Sequence, residues 1–257
     1  MNAVDALQAV AIGVIAGVLS GLFGVGGGIV MTPGIDWLLP VRPIVALATP
    51  LPVIFPTSIT GAVTYGKAGE VDRRAASWMA ATGLAGAVVG AYATEWVDPS
   101  LLLLATAALL GWQSVGIIRG SGRRATTGAD AMTAGAGTFA TIGVVAGAVS
   151  GLLGIGGGLV MVPLLAGWCG MPLKRALGTS LLTIPALVIP GTIVHAHLGN
   201  IDWSATLFLT LGAVPGARVG AKLALGTGER TLRLIVGSGM LLIAALYAVL
   251  QLSALLR

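Results

Sequence analysis

Long apolar runs separated by short polar stretches dominate the chain. With about 20 residues needed for a helical crossing of a bilayer, the first half divides into apolar segments over 6–40, 44–66, 76–95 and 100–118. The second half divides into 136–168, 174–197, 203–225 and 231–255. Segment 6–40 is too long for one helix. The pattern predicts an all-α polytopic membrane protein.

Composition agrees and narrows the choice. Of 257 residues, 56% are hydrophobic and 9% charged, whereas soluble domains carry roughly 25% charged residues. Fourteen basic and nine acidic side chains cannot solvate a surface of this size, so a soluble enzyme is excluded. The 40 glycines follow no Gly-X-Y period and sit among Leu, Val, Ile and Ala, which excludes collagen and disorder; membrane helices tolerate glycine and proline more than soluble ones do. The single cysteine, Cys169, rules out a disulfide framework or a multi-cysteine metal site. A net charge of +5 without a long basic cluster argues against a nucleic-acid partner. Met1 to Asp5 lack a basic leader region, so the N-terminus is expected to stay in the mature chain.

The chain is also written twice. Residues 13–33 and 143–163 are identical at 14 of 21 positions, at an offset of 130. The offset holds onward through Thr49/Thr179, Gly61/Gly191, Gly69/Gly199, Asp72/Asp202, Gly86/Gly216 and Gly90/Gly220. Residues 1–118 form the first repeat, 119–130 a polar linker and 131–257 the second repeat.

Charge distribution orients the repeats. Eight simple crossings divide Lys and Arg almost evenly between the two sides, against the positive-inside rule. If 6–40 and 136–168 each turn back at their glycine triplet, one side holds Lys67, Arg73, Arg74, Arg119, Arg123, Arg124, Lys174, Arg175, Lys222, Arg230 and Arg233. Only Arg42 and Arg257 fall opposite, with mid-segment Arg218 set aside. Each half then crosses an odd number of times. The expectation is two inverted repeats of about 110 residues, each a broken first segment followed by three spans, with the linker and residues 67–75 cytoplasmic.

Gly26, Gly27 and Gly28, and likewise Gly156, Gly157 and Gly158, mark the breaks. Each glycine costs a helix roughly 1 kcal/mol relative to alanine, and broken backbone at membrane depth must be buried in protein or line a cavity. A short helix is expected to start after each triplet, and two such N-termini meeting near the midplane suit an anion. The spacing fits neither a dinucleotide fingerprint nor a Walker loop. Gly13-x-x-x-Gly17 and Gly212-x-x-x-Gly216-x-x-x-Gly220 read instead as small-residue helix packing.

Gly21-Leu-Phe-Gly-Val-Gly-Gly-Gly-Ile-Val-Met-Thr-Pro33 and Gly151-Leu-Leu-Gly-Ile-Gly-Gly-Gly-Leu-Val-Met-Val-Pro163 resemble the duplicated signature of the TauE/SafE sulfite-exporter family. Ala176-Leu-Gly-Thr-Ser-Leu181, with Gly191, His195 and Gly199-Asn-Ile-Asp-Trp203, is similar too. The resemblance covers essentially the whole chain. It implies a permease of the bacterial inner membrane whose relatives export or import sulfite, thiosulfate, sulfoacetate and related sulfonates. The first half departs from the second motif, with Ala48-Thr-Pro-Leu-Pro52 against Gly178-Thr-Ser-Leu-Leu182, so the halves are not expected to contribute equally.

Polar residues inside the segments complete the candidate substrate site. Ser20 and Ser150 precede the triplets, and Thr49, Thr179 and Ser180 open the next segments; their hydroxyls either coordinate anion oxygens or bond to their own helices. Prolines 50, 52, 56, 185 and 190 make those segments irregular. Arg218 reads either as a bidentate partner for a sulfo group or as a side chain snorkelling to the edge. His195 and His197, two apart, do not share a helix face; His195 reads as a buried structural histidine or a proton relay. No catalytic residues, metal ligands or cofactor are expected. A homodimer is left open. The rival readings are a permease for another small anion or a metal ion, and an intramembrane enzyme or redox-complex subunit.

Overall fold

A computed structural model describes residues 2–39, 41–93, 96, 108, 111–112, 114–118 and 135–255. All regular structure among the described residues is helical: α1 (Ala3–Phe23), α2 (Gly28–Leu38), α3 (Pro43–Ala48), α4 (Pro50–Lys67), α5 (Arg73–Ala93), α6 (Ala136–Leu153), α7 (Gly158–Gly167), α8 (Leu173–His197), α9 (Trp203–Gly226) and α10 (Glu229–Leu255). The linker at 119–130 and most of segment 100–118 lie outside the described residues. Six helical stretches among them are long and apolar enough to cross a membrane: α1, α3 with α4, α5, α6, α8 and α9.

The duplication is visible in the backbone. Helices α2 and α7, α3–α4 and α8, and α5 and α9 start at equivalent positions of the two repeats. Pro50 and Pro52 leave one difference. Thr49 separates α3 from α4, whereas α8 runs unbroken past Pro185 and Pro190.

Segments 6–40 and 136–168 each resolve into a full-length helix and a short returning one. A Cβ on Gly34 of α2 would stand 2.9 Å from Ile12 of α1, and one on Gly27 would stand 3.0 Å from the Ala16 carbonyl. Rising numbers in α2 thus meet falling numbers in α1, so the pair is an antiparallel hairpin. With 11 residues, α2 is ~16 Å long, about half the hydrocarbon thickness.

The repeats interlock rather than sit side by side. Helix α1 packs mainly along α9, and α5 along α6. Gly13, Gly17 and Gly21 press against Leu209, Ala213 and Ala217 in rising order, so α1 and α9 run parallel. The α5–α6 seam repeats this, with Gly83, Gly86 and Gly90 against Gly143, Val144 and Ala148. Lipid offers apolar side chains an environment as good as protein does, so membrane helices associate by close backbone approach along small residues. That accounts for part of the glycine excess. On the central axis α4 and α8 run antiparallel, with Gly61 against Leu181 and Gly191 against Leu51.

Polar contacts define the two ends. At one, the Tyr65 hydroxyl donates to Gly21 O (2.9 Å), Lys174 Nζ to Leu225 O (2.7 Å) and Asp72 N to Thr179 Oγ1 (2.9 Å). This is the 68–72 end. At the other, the 198–202 end, Asp202 N donates to Thr49 Oγ1 (3.1 Å). Exposed Trp78 and Trp168 lie towards the first end and exposed Trp37 and Trp203 at the second, as in the aromatic belts of membrane proteins.

Candidate functional site

Each break is built by glycine conformations that other residues rarely adopt. Gly24 ends α1 in the left-handed region at φ 70°, donating its N–H to Ser20 O at 2.9 Å. Gly27 (φ 89°) caps α2, and its carbonyl accepts from both Val30 N and Met31 N. Gly154 (φ 67°) and Gly157 (φ 71°) repeat the device ahead of α7. No side chain caps either short helix.

The two breaks meet. A Cβ on Gly28 would come within 3.2 Å of Ile155 Cα, and one on Gly158 within 2.6 Å of Val25 Cα. Gly26 and Gly156 both face Ile54 and Ile184, which lie next to the centres of the 25-residue stretches Pro43–Lys67 and Leu173–His197. The positive dipole ends of α2 and α7 are therefore brought together at half-height. Buried Val25, Ile54, Ile155 and Ile184 pack round the crossing. The immediate lining is more apolar than the hydroxyl pattern implies.

Ser20 and Ser150 stand at equivalent places beside the breaks. Both are fully buried, and neither hydroxyl has a hydrogen-bond partner. Other buried hydroxyls bond back to their own helix, as Thr57 does to Val53 O at 2.7 Å and Thr183 to Thr179 O at 3.0 Å. An unsatisfied buried hydroxyl costs about 1–3 kcal/mol, so its occurrence at both equivalent positions calls for a reason beyond packing. Thr32, one turn into α2, is also buried with an unpartnered hydroxyl. It escapes a reading based on duplicated residues because its counterpart is Val162; its place four residues after the triplet was the available signal.

The remaining candidates divide. Ser180 reaches the first break, its hydroxyl lying 2.8 Å from Gly24 O and from Leu177 O. Pro50 takes that position in the first repeat, so the second break lacks the tie. The Thr49 and Thr179 oxygens accept from Asp202 N and Asp72 N in the turns of the opposite repeat and tie those turns down. His195 is buried in the last turns of α8, ~16 Å of helix from Ile184. Arg218 is exposed on α9. The α9 face against α1 is instead Gly212, Ala213, Gly216, Ala217 and Gly220, so Arg218 is not brought to the breaks. Hydropathy places it at the right depth but does not say which way it faces. Among the described residues no group of three or more His, Cys, Asp or Glu is placed to hold a metal.

Residues 9–247, spanning both breaks, match the family model for the sulfite exporter TauE/SafE. The chain belongs to this family. Among its TauE/SafE-like relatives, the "Probable membrane transporter protein YunE" of Bacillus subtilis is 30% identical over 91% of this chain and 94% of its own. A "Probable membrane transporter protein" of Xylella fastidiosa is 28% identical over 82% of each chain. The "Probable membrane transporter protein MJ0441" of Methanocaldococcus jannaschii is 26% identical over 88% of this chain and 89% of its own. No solved structure matches this TauE/SafE protein. Family, relatives and apolar helices together identify a multi-pass membrane permease.

Proposed function

We propose that this permease is a secondary transporter for a small sulfur-containing anion such as sulfite, thiosulfate or an organosulfonate, bound where α2 and α7 meet. The carrying observation is the junction of two glycine-capped helix N-termini at half-height, each with a buried, unpartnered serine hydroxyl beside it. Helix N-termini favour negative charge, and low dielectric strengthens that preference. Ser20, Ser150 and Thr32 supply hydroxyl donors, and Ser180 braces the first break. A carboxylate-lined cation path has no support, since Asp and Glu of the described residues lie at the helix ends. Ile54 and Ile184 close the crossing in this conformation, so entry of an anion requires α4 and α8 to move apart. Rocking of two inverted repeats would supply that motion. The antiparallel course of the equivalent helices α4 and α8 supports this reading.

The positive-inside rule puts the 68–72 end, with Lys67, Arg73, Arg74, Lys174, Arg175, Lys222, Arg230 and Arg233, on the cytoplasmic side of a bacterial inner membrane. The 198–202 end has Arg42 against Asp5, Asp36 and Asp202. Uptake into proteoliposomes across sulfite, thiosulfate, sulfoacetate, taurine and sulfate tests the substrate. Ser20→Ala and Ser150→Ala remove a hydroxyl without adding bulk, so both proteins should fold and each lose about tenfold in transport, the value of one charge-assisted hydrogen bond. Full transport by the double variant would sink the proposed site. Transport of cations alone would sink the substrate class.

A further inference from the structure

A cleft of about 370 Å³ opens at the 68–72 end, outside the crossing of the breaks. Its wall is apolar, formed by Ile59, Ala62 and Val63 of α4 with Leu182 of α8, and its rim carries Lys67 and Arg73. From Ile59 to Lys67 the wall runs ~12 Å along α4. Ile59, Val63 and Leu182 are exposed, on helices long and apolar enough to cross a membrane, so the cleft offers an apolar surface of the kind such helices turn towards lipid. Among the described residues neither Lys67 nor Arg73 has an ion-pair partner. Asp72 is directed to Arg175 at 3.8 Å and caps α5 through Ala75 N. Glu70 shares the turn but is outnumbered by Lys67, Arg73 and Arg74.

The duplication provides an internal comparison. At the equivalent place at the 198–202 end, Ile59 and Val63 become Ile189 and Ile193, while Lys67 becomes His197 and Arg73 becomes Trp203. The apolar wall of α4 is kept and the cations are not. The fold therefore does not require two cations above this wall. A pair of basic side chains at headgroup level over an open apolar groove matches one chemistry, an acidic headgroup joined to acyl chain. A free anion would have no use for the groove.

We infer that the cleft between α4 and α8 is a binding site for an anionic phospholipid of the leaflet at the 68–72 end, its phosphate held by Lys67 and Arg73 and an acyl chain along Ile59, Val63 and Leu182. The site touches α4 and α8, the helices whose isoleucines close the crossing, and so places a lipid against the moving seam.

Native mass spectrometry of the full-length protein, titrated with phosphatidylglycerol or phosphatidylcholine, tests the assignment. The wild type should retain phosphatidylglycerol preferentially. Lys67→Ala with Arg73→Ala should lower that retention about fivefold per cation and leave phosphatidylcholine retention unchanged. Val63→Trp, which fills the groove and keeps both cations, should reduce phosphatidylglycerol retention as well. The control pair Lys222→Ala with Arg230→Ala, which removes equal charge at the same end, should not. Unchanged selectivity in the Lys67/Arg73 variant, or an equal loss in the control, overturns the inference. So does displacement of the lipid by millimolar inorganic phosphate, which would mark a free-anion site.

Discussion

Thr49 and Thr179 illustrate how much one hydroxyl can hold. Each accepts the backbone N–H of an aspartate in the other repeat's turn, at 3.1 Å for Asp202 and 2.9 Å for Asp72. Each aspartate in turn caps a long helix, Asp202 through Ala205 N and Asp72 through Ala75 N. Thr→Val at either position keeps the shape and leaves a partly buried N–H unpaired, so each should cost about 1–3 kcal/mol, read as a lower melting temperature in detergent. Thr141→Val, whose exposed hydroxyl bonds only to its own helix at Gly137 O, should change little. The sequence marks these threonines as candidates because both repeats keep them. Their role was not legible, because their partners lie 153 and 107 residues away. Arg218 shows the complementary limit: its depth follows from the apolar run around it, but its direction depends on which side of α9 meets α1.

Paired helices show what patterning can and cannot reveal. Segments 44–66, 174–197 and 203–225 fall within a residue of helices at Pro43–Lys67, Leu173–His197 and Trp203–Gly226, because polar turns interrupt the apolar runs sharply. The glycine stripes announce close packing but not the partner, and that partner turns out to come from the opposite repeat. Gly17→Leu or Gly147→Leu would drive a side chain into the Ala213 or Gly83 carbonyl. Size-exclusion chromatography should show either variant aggregated or absent. Gly137, on α6 with open space around it, provides the contrast: Gly137→Ala should match the wild type or gain up to about 1 kcal/mol in helix stability. The triplets differ from the stripes in that they set chain direction, which is why three consecutive glycines were readable as breaks.

The whole molecule has two chemically distinct ends, and surface labelling can show how they face. Ala68 and Leu198 are exposed in equivalent turns of the two repeats. Ala68→Cys should react with an impermeant maleimide only from the cytoplasmic side, and Leu198→Cys only from outside. Burial pushes the Cys169 thiol up, so the native cysteine should react slowly and leave a low background. Labelling of both sites from one face would refute the opposed arrangement of the repeats. The interlocked pairing also has a consequence in time. Helix α1 ends at Phe23, yet the helix it packs along begins at Trp203. At a synthesis rate of about 5–20 residues per second, α1 waits roughly ten to forty seconds for its neighbour. During that interval its glycine stripe faces lipid or the insertion machinery. A ribosome stalled between the repeats would leave a first half with its seams open, a form that quality-control proteases could recognise by its unpaired small-residue faces.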